Sequence, residues 1–565
     1  MTYNILAINP GHNGSAALVV DGALVFYAEE ERLSRMKYDG NPFRAMLQCL
    51  ESTHIDELVL GGTSPEFSKL PWTGEDAYTA LVRKYNPNVK ITNLGHQHHL
   101  GHAAGAFYNS GFKTAIAIIV DGAGSVHSTR IGDDENSPIT AGFETESIYK
   151  CAYPTTFDAV YKRYADGNAQ YFHNGVQEFD NSVTVTKAFE AVSHYLGFGY
   201  IEAGKTMGLA PYGKFDSRVP NFFVEGKGNK NLLKPLYPAG ANIDEDRFSY
   251  LKRKQDPKVW HHDFSKVTDV DKNLAWKIQD ESQAIVGNLI EQAVNATGET
   301  NVVIAGGYGL NCVANYYYLQ RFPNLNIYVD PVSHDGGTAI GLARLAWHAV
   351  SNSETIAPLE TIYLGAEPTY DDLSSVAENN LKITKNVTAT DIAKLISEGN
   401  IVTMFNGRAE AGPRALGNRS IMFDPRRPDG KDYVNKVKGR EWFRPFAGSV
   451  LEEHAHEWFE MRTLKSSPFM MYAINVLPEK LGEIPAITHV DGTCRVQTVN
   501  RKDNQSYYDV ISEFHKLTGV PMIFNTSFNA AGDPLVETVD DAVNTIVGCD
   551  INYLYLPHLK QLISK

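Results

Sequence analysis

The feature that most constrains this chain is an apolar, strand-like stretch that ends in a glycine-rich turn, because it occurs three times. ILAIN leads into PGHNGS, TAIAIIV leads into DGAGS, and VVIA leads into GGYG. After the first two turns a second strand-like stretch follows, and near the N-terminus an Asp21-Gly22 pair then predicts a tight hairpin turn. After the third turn a helix-like stretch follows, an order in which the helix N-terminus and free amides can bind an anion.

This recurrence predicts two related half-domains that offer backbone N–H groups to a phosphate between them. The GxGxxG pattern is absent and the spacing is not that of a Walker loop. Each glycine turn taken singly is also explained by ordinary turn formation. The ordered recurrence, rather than any one turn, therefore indicates a nucleotide site.

The length of 565 residues predicts at least two domains. With 43% hydrophobic and 21% charged residues, the composition is that of a globular protein and excludes wholesale disorder, collagen and coiled coil. The stretch 350–370 has few periodic apolar positions and two prolines, so we place a domain boundary there, between residues 1–354 and 355–565. Helix-like and strand-like stretches alternate in 381–404 and 505–557, which predicts a second α/β domain.

The charge balance and the cysteines indicate the compartment. A net charge of −14 disfavours binding of the whole molecule to nucleic acid or an anionic membrane. No apolar run approaches the roughly 18 residues needed to span a bilayer, and the N-terminus lacks the pattern of a signal peptide. The five cysteines are scattered and never in CxxC spacing, which is typical of reduced thiols. We therefore expect a soluble cytoplasmic protein without membrane association.

Two histidines in GHQHHLGHAAGAFY have the spacing of a helical metal site. His98 and His102 are four residues apart, so both imidazoles project from one face of a predicted helix. Asp121, directly after an apolar strand, and Asp335, at the start of a predicted helix, can complete the site. Such a donor set suits Fe²⁺, Mn²⁺ or Zn²⁺. The alternative is that these histidines are ordinary core or surface residues.

Two other residues are candidates for the chemistry itself. His12 lies in the first glycine turn and is a candidate general base, or a turn residue that bonds to its own loop. Lys37 follows AEEERLSRM and is either a catalytic lysine or a solvated member of a charge run.

The second domain contains a strongly basic window. Residues 401–450 carry ten Lys/Arg against five Asp/Glu, in a chain whose net charge is −14. Guanidinium groups match phosphate geometry, and the Gly- and Pro-rich loop AEAGPRALGNR holds several of them without crowding. A solvated basic face and a nucleic-acid patch are the alternatives, although the latter would prefer Lys interleaved with aromatics. The candidates for phosphate binding are Arg414, Asn418, Arg419, Arg440, Arg444, Arg495, Asn525, Ser527 and Asn529.

Ten motifs, in order along essentially the whole chain, resemble the NodU/CmcH carbamoyltransferase family, which includes the tobramycin and cephem O-carbamoyltransferases. EAGKTMGLAPYG and GPRALGNRSI are too long for chance agreement. The others are INPGHNGSAALVVDG, AEEERLSRMK, HHLGHAAGAF, VDGAG, AGGYGLNCVAN, SHDGGTAIG, REWFRPFAGS and FNTSFN.

The resemblance implies an α/β protein with an N-terminal ASKHA domain, actin-like and similar to the threonylcarbamoyl transferases, and a C-terminal YrdC-like domain. It implies an ATP-dependent O-carbamoyltransferase. The second domain would form carbamoyl adenylate from carbamoyl phosphate and ATP with Mg²⁺. The first would pass the carbamoyl group to an acceptor hydroxyl, with a divalent metal, Fe²⁺ by resemblance, on the nucleotide phosphate.

The same resemblance implies roles for particular residues. The metal ligands would be His98, His102, Asp121 and Asp335, with His12 and Lys37 near the acceptor and carbamoyl group. Relatives often carry HDxSAA where this chain has His12-Asn13-Gly14. The adenylate contacts would be Lys205, Gly208, Gly306, Gly307, Gly309 and Asn311, and the carbamoyl phosphate and ATP site would be Arg414, Lys438, Arg444, Arg495, Asn525 and Ser527.

Nothing in the sequence identifies the acceptor directly. We expect a small hydroxylated metabolite; the alternative acceptor is the hydroxymethyl group of 5-hydroxymethylcytosine, in a nucleotide or in DNA. An ASKHA ATPase switch would not need a second domain rich in phosphate-matched arginines, and a tRNA threonylcarbamoyl enzyme would favour a basic surface. The sequence is compatible with a homodimer.

Overall fold

The computed structural model describes residues 2–131, 135–166, 169–224, 226–236, 240–244, 267–370 and 373–565. The chain divides into two compact units, Met1–Val25 with Cys49–Leu359 and Phe26–Gln48 with Glu360–Lys565. The boundary thus falls after residue 359, where the sequence placed it after 354. The structure also groups residues 26–48 with the second unit, although the sequence assigned them to the first domain.

A five-stranded sheet opens the first unit, in the order β3-β2-β1-β4-β5. β1 and β2 form the predicted antiparallel hairpin, with Asn9 opposite Ser15, and β4 and β5 extend β1 in parallel. The strands are β1 (Asn4–Asn9), β2 (Ser15–Val20), β3 (Ala23–Glu29), β4 (Glu57–Leu60) and β5 (Lys90–Asn93), and the helices between them are α1 (Glu30–Ser34), α2 (Phe43–Ser52) and α3 (Ala77–Tyr85).

A second sheet of eight strands continues the first unit, in the order β10-β11-β9-β8-β6-β16-β17, with β7 also paired to β8. Its strands are β6 (Thr114–Val120), β7 (Val126–Arg130), β8 (Ile139–Ala152), β9 (Thr156–Ala165), β10 (Phe172–Asn174), β11 (Gln177–Asp180), β16 (Asn301–Ala305) and β17 (Asn326–Val329). Two small hairpins lie between them in the chain, β12 (Phe223–Val224) with β13 (Lys227–Gly228) and β14 (Leu233–Leu236) with β15 (Gly240–Ile243).

The centre of the second sheet repeats the first. Its order β9-β8-β6-β16-β17 corresponds to β3-β2-β1-β4-β5. In the first sheet, β1 pairs antiparallel with β2 and parallel with β4, and β4 pairs parallel with β5. In the second sheet, β6 pairs antiparallel with β8 and parallel with β16, and β16 pairs parallel with β17. The prediction of two related halves is therefore confirmed at the level of topology.

The strand–turn–strand unit predicted around DGAGS is present as β6, residues 121–125 and β7, and both of its strands pair with β8. β6 and β7 both run antiparallel to β8, with Val120 opposite Glu146 and Val126 opposite Phe143. Because the long strand β8 spans both, residues 121–125 interrupt one line of pairing rather than turning the chain back.

Helices cover the first unit. The third glycine motif forms the predicted strand–turn–helix, in which β16 leads into α8. The helices are α4 (His98–Ser110), α5 (Val185–Tyr195), α6 (Ala203–Leu209), α7 (Asp269–Thr297), α8 (Cys312–Arg321) and α9 (Thr338–Ser351).

Glycines bring α4 and α9 into close contact. A Cβ on Gly341 of α9 would overlap the carbonyl oxygen of Gly101 and lie 2.5 Å from the amide nitrogen of Gly105. α4 accordingly has glycines where it meets α9. The alanines of the same helix, Ala103, Ala104 and Ala106, are also buried. Two predicted metal ligands lie at the start of α4, so this contact helps to fix where they point.

The second unit is built on a nine-stranded mixed sheet, in the order β18-β26-β25-β19-β20-β24-β21-β23-β22. The predicted helix-to-strand alternation is confirmed at α11 with β19 and at α14 with β24. The strands are β18 (Lys382–Lys385), β19 (Val402–Phe405), β20 (Arg419–Phe423), β21 (Ala447–Leu451), β22 (Ala473–Asn475), β23 (Thr493–Val499), β24 (Met522–Ser527), β25 (Tyr553–Leu556) and β26 (Gln561–Ser564). The helices are α10 (Ser374–Glu378), α11 (Ala389–Ser397), α12 (Gly430–Val437), α13 (Ala455–Trp458), α14 (Gln505–Thr518) and α15 (Val539–Gly548).

Both units are α/β, as expected. Among the described residues no helix combines the length and the apolar character needed to cross a bilayer. No disulfide joins any of the five cysteines, all of which the structure describes.

We predict that Gly341→Ala lowers the free energy of unfolding by about 2–3 kcal/mol, because the new methyl group forces α4 and α9 apart. Gly204→Ala in α6 is the matched control, since a Cβ there meets nothing within 4 Å. It should leave the stability unchanged or raise it by up to about 1 kcal/mol through helix propensity. Denaturant unfolding of both variants checks this; equal stabilities would contradict the close-packing interpretation.

Candidate functional site

Four buried side chains of the first unit converge, and they are those that the sequence proposed as metal ligands. His98, His102, Asp121 and Asp335 each offer one ligand atom, and these atoms all lie within 4.8 Å of one another. The two Nε2 atoms of His98 and His102 are 3.2 Å apart. Asp121 Oδ2 lies 3.6 Å from His98 Nε2, and Asp335 Oδ1 lies 3.9 Å from His102 Nε2. We call these four residues the His–Asp cluster.

The glycine turns position the cluster. Asp121 follows β6, and its Oδ1 accepts a hydrogen bond of 2.9 Å from the Gly307 amide. Gly306 has φ +87°, and a Cβ there would overlap the carbonyl oxygen of Val120, so glycine is required where the third turn meets the end of β6. On the other side, the Ser15 hydroxyl at the start of β2 donates to the carbonyl oxygen of Gly336, the residue after Asp335.

The electrostatics of the cluster are strongly perturbed. Burial opposes protonation of His98, but the carboxylates of Asp121 and Asp335 outweigh it and raise its pKa to about 10. Burial and the neighbouring His98 lower the pKa of His102 to about 3. Burial alone would raise the pKa of Asp121, yet the contact with His98 holds it well below its usual range. The cluster therefore favours a cation between its two carboxylates.

The donor set fits a divalent transition-metal ion. Two imidazole nitrogens and two carboxylate oxygens face one point, and all four residues are buried. Imidazole with carboxylate is the ligand combination of iron, manganese and zinc sites. Ordinary core histidines would not require two buried carboxylates at their Nε2 atoms.

His12 lies beside this cluster. Its Nδ1 is 3.4 Å from Asp335 Oδ2, on the side of the carboxylate that does not face His102. The His12 side chain is 53% exposed, so it stands between the buried ligands and solvent. A histidine oriented by a carboxylate in this way is a suitable general base.

Lys37 belongs to the second unit and is not grouped with His12. Its Nζ lies 2.7 Å from Glu31 Oε1, in the same short segment of chain. The two proposed catalytic residues, His12 and Lys37, therefore lie in different units. The family resemblance did not indicate this separation.

The predicted nucleotide residues fall into two groups. Gly306, Gly307, Gly309 and Asn311 form the turn before α8, where Asn311 caps the helix by accepting from the Ala314 amide at 3.1 Å. Lys205 and Gly208 lie on α6, where Lys205 pairs with Glu202 at 2.7 Å.

Sequence reasoning missed an ion pair beside the His–Asp cluster. Lys187 and Glu190 of α5 are 2.8 Å apart, and a Cβ on Gly122 would lie 3.3 Å and 3.1 Å from their charged ends. Burial raises the pKa of Glu190. The i, i+3 spacing of an acid and a base is common on helices, so nothing in the sequence indicated that this pair adjoins Asp121.

In the second unit, three basic residues of the window 401–450 bind other groups of the protein. Arg408 donates to the carbonyl oxygens of Gly365 and Leu364. Arg426 and Arg427 pair with Asp424 and Asp429, both at 2.7 Å.

Arg419, which the sequence grouped with Arg414, is fully buried. It donates to the carbonyl oxygens of Asn406, Asn418 and Val536, and its guanidinium lies 3.7 Å from the centre of the Phe405 ring. It therefore supports the loop and is not available to a phosphate.

Other cations of this unit meet at the end of β24. Lys438 Nζ donates to the Ser527 carbonyl oxygen and lies 3.3 Å from Ser527 Oγ and 3.2 Å from Asn529 Oδ1. Arg440 donates to Thr526 Oγ1 at 3.2 Å and to Ser527 Oγ at 3.1 Å. Arg440 is one of the residues that the sequence proposed for phosphate binding. We call Lys438, Arg440, Arg444 and Arg495 the cationic cluster.

The cations of this cluster affect one another. Burial, followed by the charges of Arg440 and Arg444, lowers the pKa of Lys438 well below its usual range. Burial, followed by Arg444 and Arg495, lowers the pKa of Arg440 to about 9. Several buried like charges that repel one another are stabilised by an anion, which phosphate provides.

The sheet register brings Arg495 and Asn525 towards this cluster. Arg495 on β23 stands between Ala447 on β21 and Ala473 on β22, and Asn525 on β24 lies opposite Ala447. The small alanines leave space beside Arg495, whose Nε has no hydrogen-bond partner within the described part of the chain.

Asn525 is fully buried, and its Nδ2 donates to the carbonyl oxygen of Ala415 at 3.1 Å and to Ser449 Oγ at 2.9 Å. It thereby ties β24 to the residue that follows Arg414. The sequence predicted a direct phosphate contact here; the structure shows bonds that hold the Arg414 loop.

Comparisons with known proteins identify both halves of the chain. The family model for the carbamoyltransferase N-terminus matches residues 73–344, and that for the carbamoyltransferase C-terminus matches residues 393–563. Nodulation protein NolNO of Sinorhizobium fredii is 31% identical over 582 residues, which covers 96% of this chain and 78% of that protein. Nodulation protein NolO of Bradyrhizobium diazoefficiens is 32% identical over 471 residues, which covers 81% of this chain and 77% of that protein.

Among solved structures, full-length HypF in its phosphate- and nucleotide-bound form aligns with a TM-score of 0.37 at 13% identity, over 62% of this chain and 47% of that one. The two family models and the nodulation relatives confirm the resemblance seen in the motifs. This chain belongs to the carbamoyltransferase family.

Proposed function

We propose that this carbamoyltransferase is an ATP-dependent O-carbamoyltransferase that acts on a hydroxyl group of a small hydroxylated metabolite. Water cleaves carbamoyl phosphate to carbamate and phosphate, and carbamate attacks the α-phosphate of ATP to give carbamoyl adenylate and pyrophosphate. The acceptor hydroxyl then takes the carbamoyl group, and AMP leaves. The observation that carries this proposal is the cationic cluster at the end of β24, which suits phosphate and lies in a different unit from the His–Asp cluster.

We assign the first unit to the ASKHA fold and the second to a YrdC-like fold. The repeated order of the two sheets in the first unit supports the former assignment, because it is the internal duplication that the glycine turns predict. The mixed nine-stranded sheet that carries phosphate-matched arginines supports the latter.

In the second unit, the protein's contribution is to hold two anionic substrates together. Carbamoyl phosphate and the ATP phosphates repel each other, so fixed positive charges are needed to bring them into reaction distance. Lys438, Arg440, Arg444 and Arg495 supply these charges, and Arg414 adds a guanidinium from the loop that Asn525 holds. Ser527 orients Lys438 and Arg440 through its carbonyl and hydroxyl oxygens.

In the first unit, His98, His102, Asp121 and Asp335 would hold a divalent ion, with Fe²⁺ expected from the family resemblance. When bound, such an ion would supply positive charge that stabilises a phosphate leaving group. Asp335 orients His12 through Nδ1. The other ring nitrogen of His12, Nε2, accepts the proton of the acceptor hydroxyl as its oxygen attacks the carbamoyl carbon.

The proposed activity is tested by incubating the protein with carbamoyl phosphate, MgATP and a panel of alcohols, followed by mass spectrometry. Transfer to a small alcohol that is insensitive to salt supports the proposal. Transfer seen only with hydroxymethylated DNA and strongly inhibited by salt would favour the nucleic-acid acceptor.

We predict that Arg495→Ala lowers ATP consumption that depends on carbamoyl phosphate by about a hundredfold, the usual effect of losing one fixed electrostatic donor. Arg427→Ala is the matched control, since this arginine of the same unit pairs with Asp429. It should retain activity within about twofold. A coupled assay of ATP consumption decides the matter, and full activity of Arg495→Ala would remove this residue from the substrate site.

For the His–Asp cluster, we predict that His102→Ala lowers bound metal at least tenfold and stops transfer from added carbamoyl adenylate, because one of four ligands is lost. Synthesis of the adenylate should stay near the wild-type rate. The control His99→Asn changes the adjacent buried histidine, whose Nδ1 contacts Ser147 Oγ at 2.7 Å, and should retain the metal. Elemental analysis provides the measurement; full occupancy in His102→Ala would mean that the histidines are structural.

His12→Ala should cut carbamoyl transfer by about a hundredfold, which is a typical contribution of a positioned base. Metal content and adenylate synthesis should remain unchanged, because His12 contacts the cluster only through the outer oxygen of Asp335. Single-turnover transfer from preformed carbamoyl adenylate isolates this step. A rate within twofold of the wild type would show that another group takes the proton.

A further inference from the structure

We infer that Glu410 and Arg32 are positioning residues of the proposed carbamoyl phosphate site, where they fix the loop that carries Arg414. This inference rests on the proposed function. The loop, residues 406–418, joins β19 to β20, and we call it the Arg414 loop. Neither Glu410 nor Arg32 was a candidate in the sequence.

Glu410 binds main-chain amides at the C-terminal end of this loop. Its Oε1 accepts three hydrogen bonds, from the amides of Leu416 at 2.8 Å, Asn418 at 2.8 Å and Arg419 at 3.1 Å. The residue is only 1% exposed. One buried oxygen thus binds three main-chain amides within four residues, and in this way it sets the path of the chain after Arg414.

The loop needs such support because its own backbone is unusual. Gly407, Gly412 and Gly417 all have positive φ, at 40°, 80° and 120°. At Gly417 a Cβ would lie 2.5 Å from the Tyr507 ring, so the chain also passes close to α14. Glycine-rich backbone has many alternative conformations, and side-chain hydrogen bonds must select one of them.

Arg32 fixes the other side of the loop. This arginine of α1 is 4% exposed, and its guanidinium donates to the carbonyl oxygens of Glu410 and Gly412. Burial opposes its charge, but Glu29, Glu537 and Glu410 outweigh burial and raise the pKa of Arg32. Arg32 therefore remains charged and binds two carbonyls just before Arg414 in the chain.

Arg35 makes a similar contact with another segment, residues 534–535. It donates to the carbonyl oxygens of Leu535 and, at 3.1 Å, Pro534, which follow Ser527 and Asn529. Residues 26–48 thus bind both the Arg414 loop and the segment that follows Ser527 and Asn529. The two arginines explain why these residues group with the second unit.

The test is calorimetric titration of the full-length protein with carbamoyl phosphate. Glu410→Ala should weaken binding at least about tenfold, or about 1.4 kcal/mol, because the amides lose their acceptor and the loop loses its fixed path. Glu410→Gln keeps an acceptor oxygen at the same position and should bind within about threefold of the wild type. A merely structural role would lower the melting temperature of both variants without separating their affinities.

The matched control is Glu281→Ala. Glu281 lies on α7 in the first unit, and one of its carboxylate oxygens likewise accepts main-chain bonds, from the amides of Phe222 at 2.7 Å and Phe223 at 3.1 Å. It should lose stability but keep the wild-type affinity. If Glu410→Ala does not fold, Arg32→Lys takes its place: it keeps the charge, loses one of the two carbonyl contacts, and should weaken binding by about three- to tenfold.

The outcomes separate the inference from the function on which it rests. Wild-type affinity in Glu410→Ala or in Arg32→Lys, or equal affinities of the Ala and Gln variants, would overturn the positioning role and leave the proposed function standing. Absence of carbamoyl phosphate binding by the wild-type protein would overturn the proposed function, and the positioning role with it.

Discussion

One hydrogen bond, from the Gly307 amide to the Asp121 carboxylate, joins the elements on which the first unit depends. It links the end of β6 to the turn after β16, which only glycine at position 306 allows. Once Asp121 is held in this way, its other oxygen faces His98. The close contact of α4 with α9 then brings His102 and Asp335 to the same point. The topology, the glycines and the buried charges thus support one another.

In the second unit, acidic and basic side chains bind the buried main-chain groups of one loop. Its irregular Gly-rich loop leaves main-chain groups buried, and Glu410, Arg32 and Arg419 bind them. Buried charged side chains are costly unless they are fully bonded, and here main-chain dipoles provide those bonds. Arg426 and Arg427 pair with acids instead, and Lys438 and Arg440 meet at the end of β24. A basic stretch of sequence therefore divides into arginines that support the fold and cations that we propose bind phosphate.

Features that depend on near neighbours in the chain could be predicted. The β1–β2 hairpin, the strand–turn–helix around Gly306 and the His98–His102 pair follow from spacing, and the structure has them. The strands on either side of DGAGS were predicted, but their shared pairing with β8, a later strand, was not. The burial of Arg419 and the grouping of residues 26–48 also depend on distant partners. The local sequence does not show which arginine donates its hydrogen bonds to carbonyl oxygens far along the chain.

The chain passes between its two units three times, after residues 25, 48 and 359. A gene truncated to encode residues 360–565 would therefore yield an incomplete folding unit. The carbonyl oxygens of Glu410 and Gly412, and those of Pro534 and Leu535, would lose the guanidinium groups that bind them. Dissection of this protein into separately expressed halves requires a circular rearrangement or a supplied peptide that restores residues 26–48. In evolution, the same connection makes it costly to exchange one unit for another.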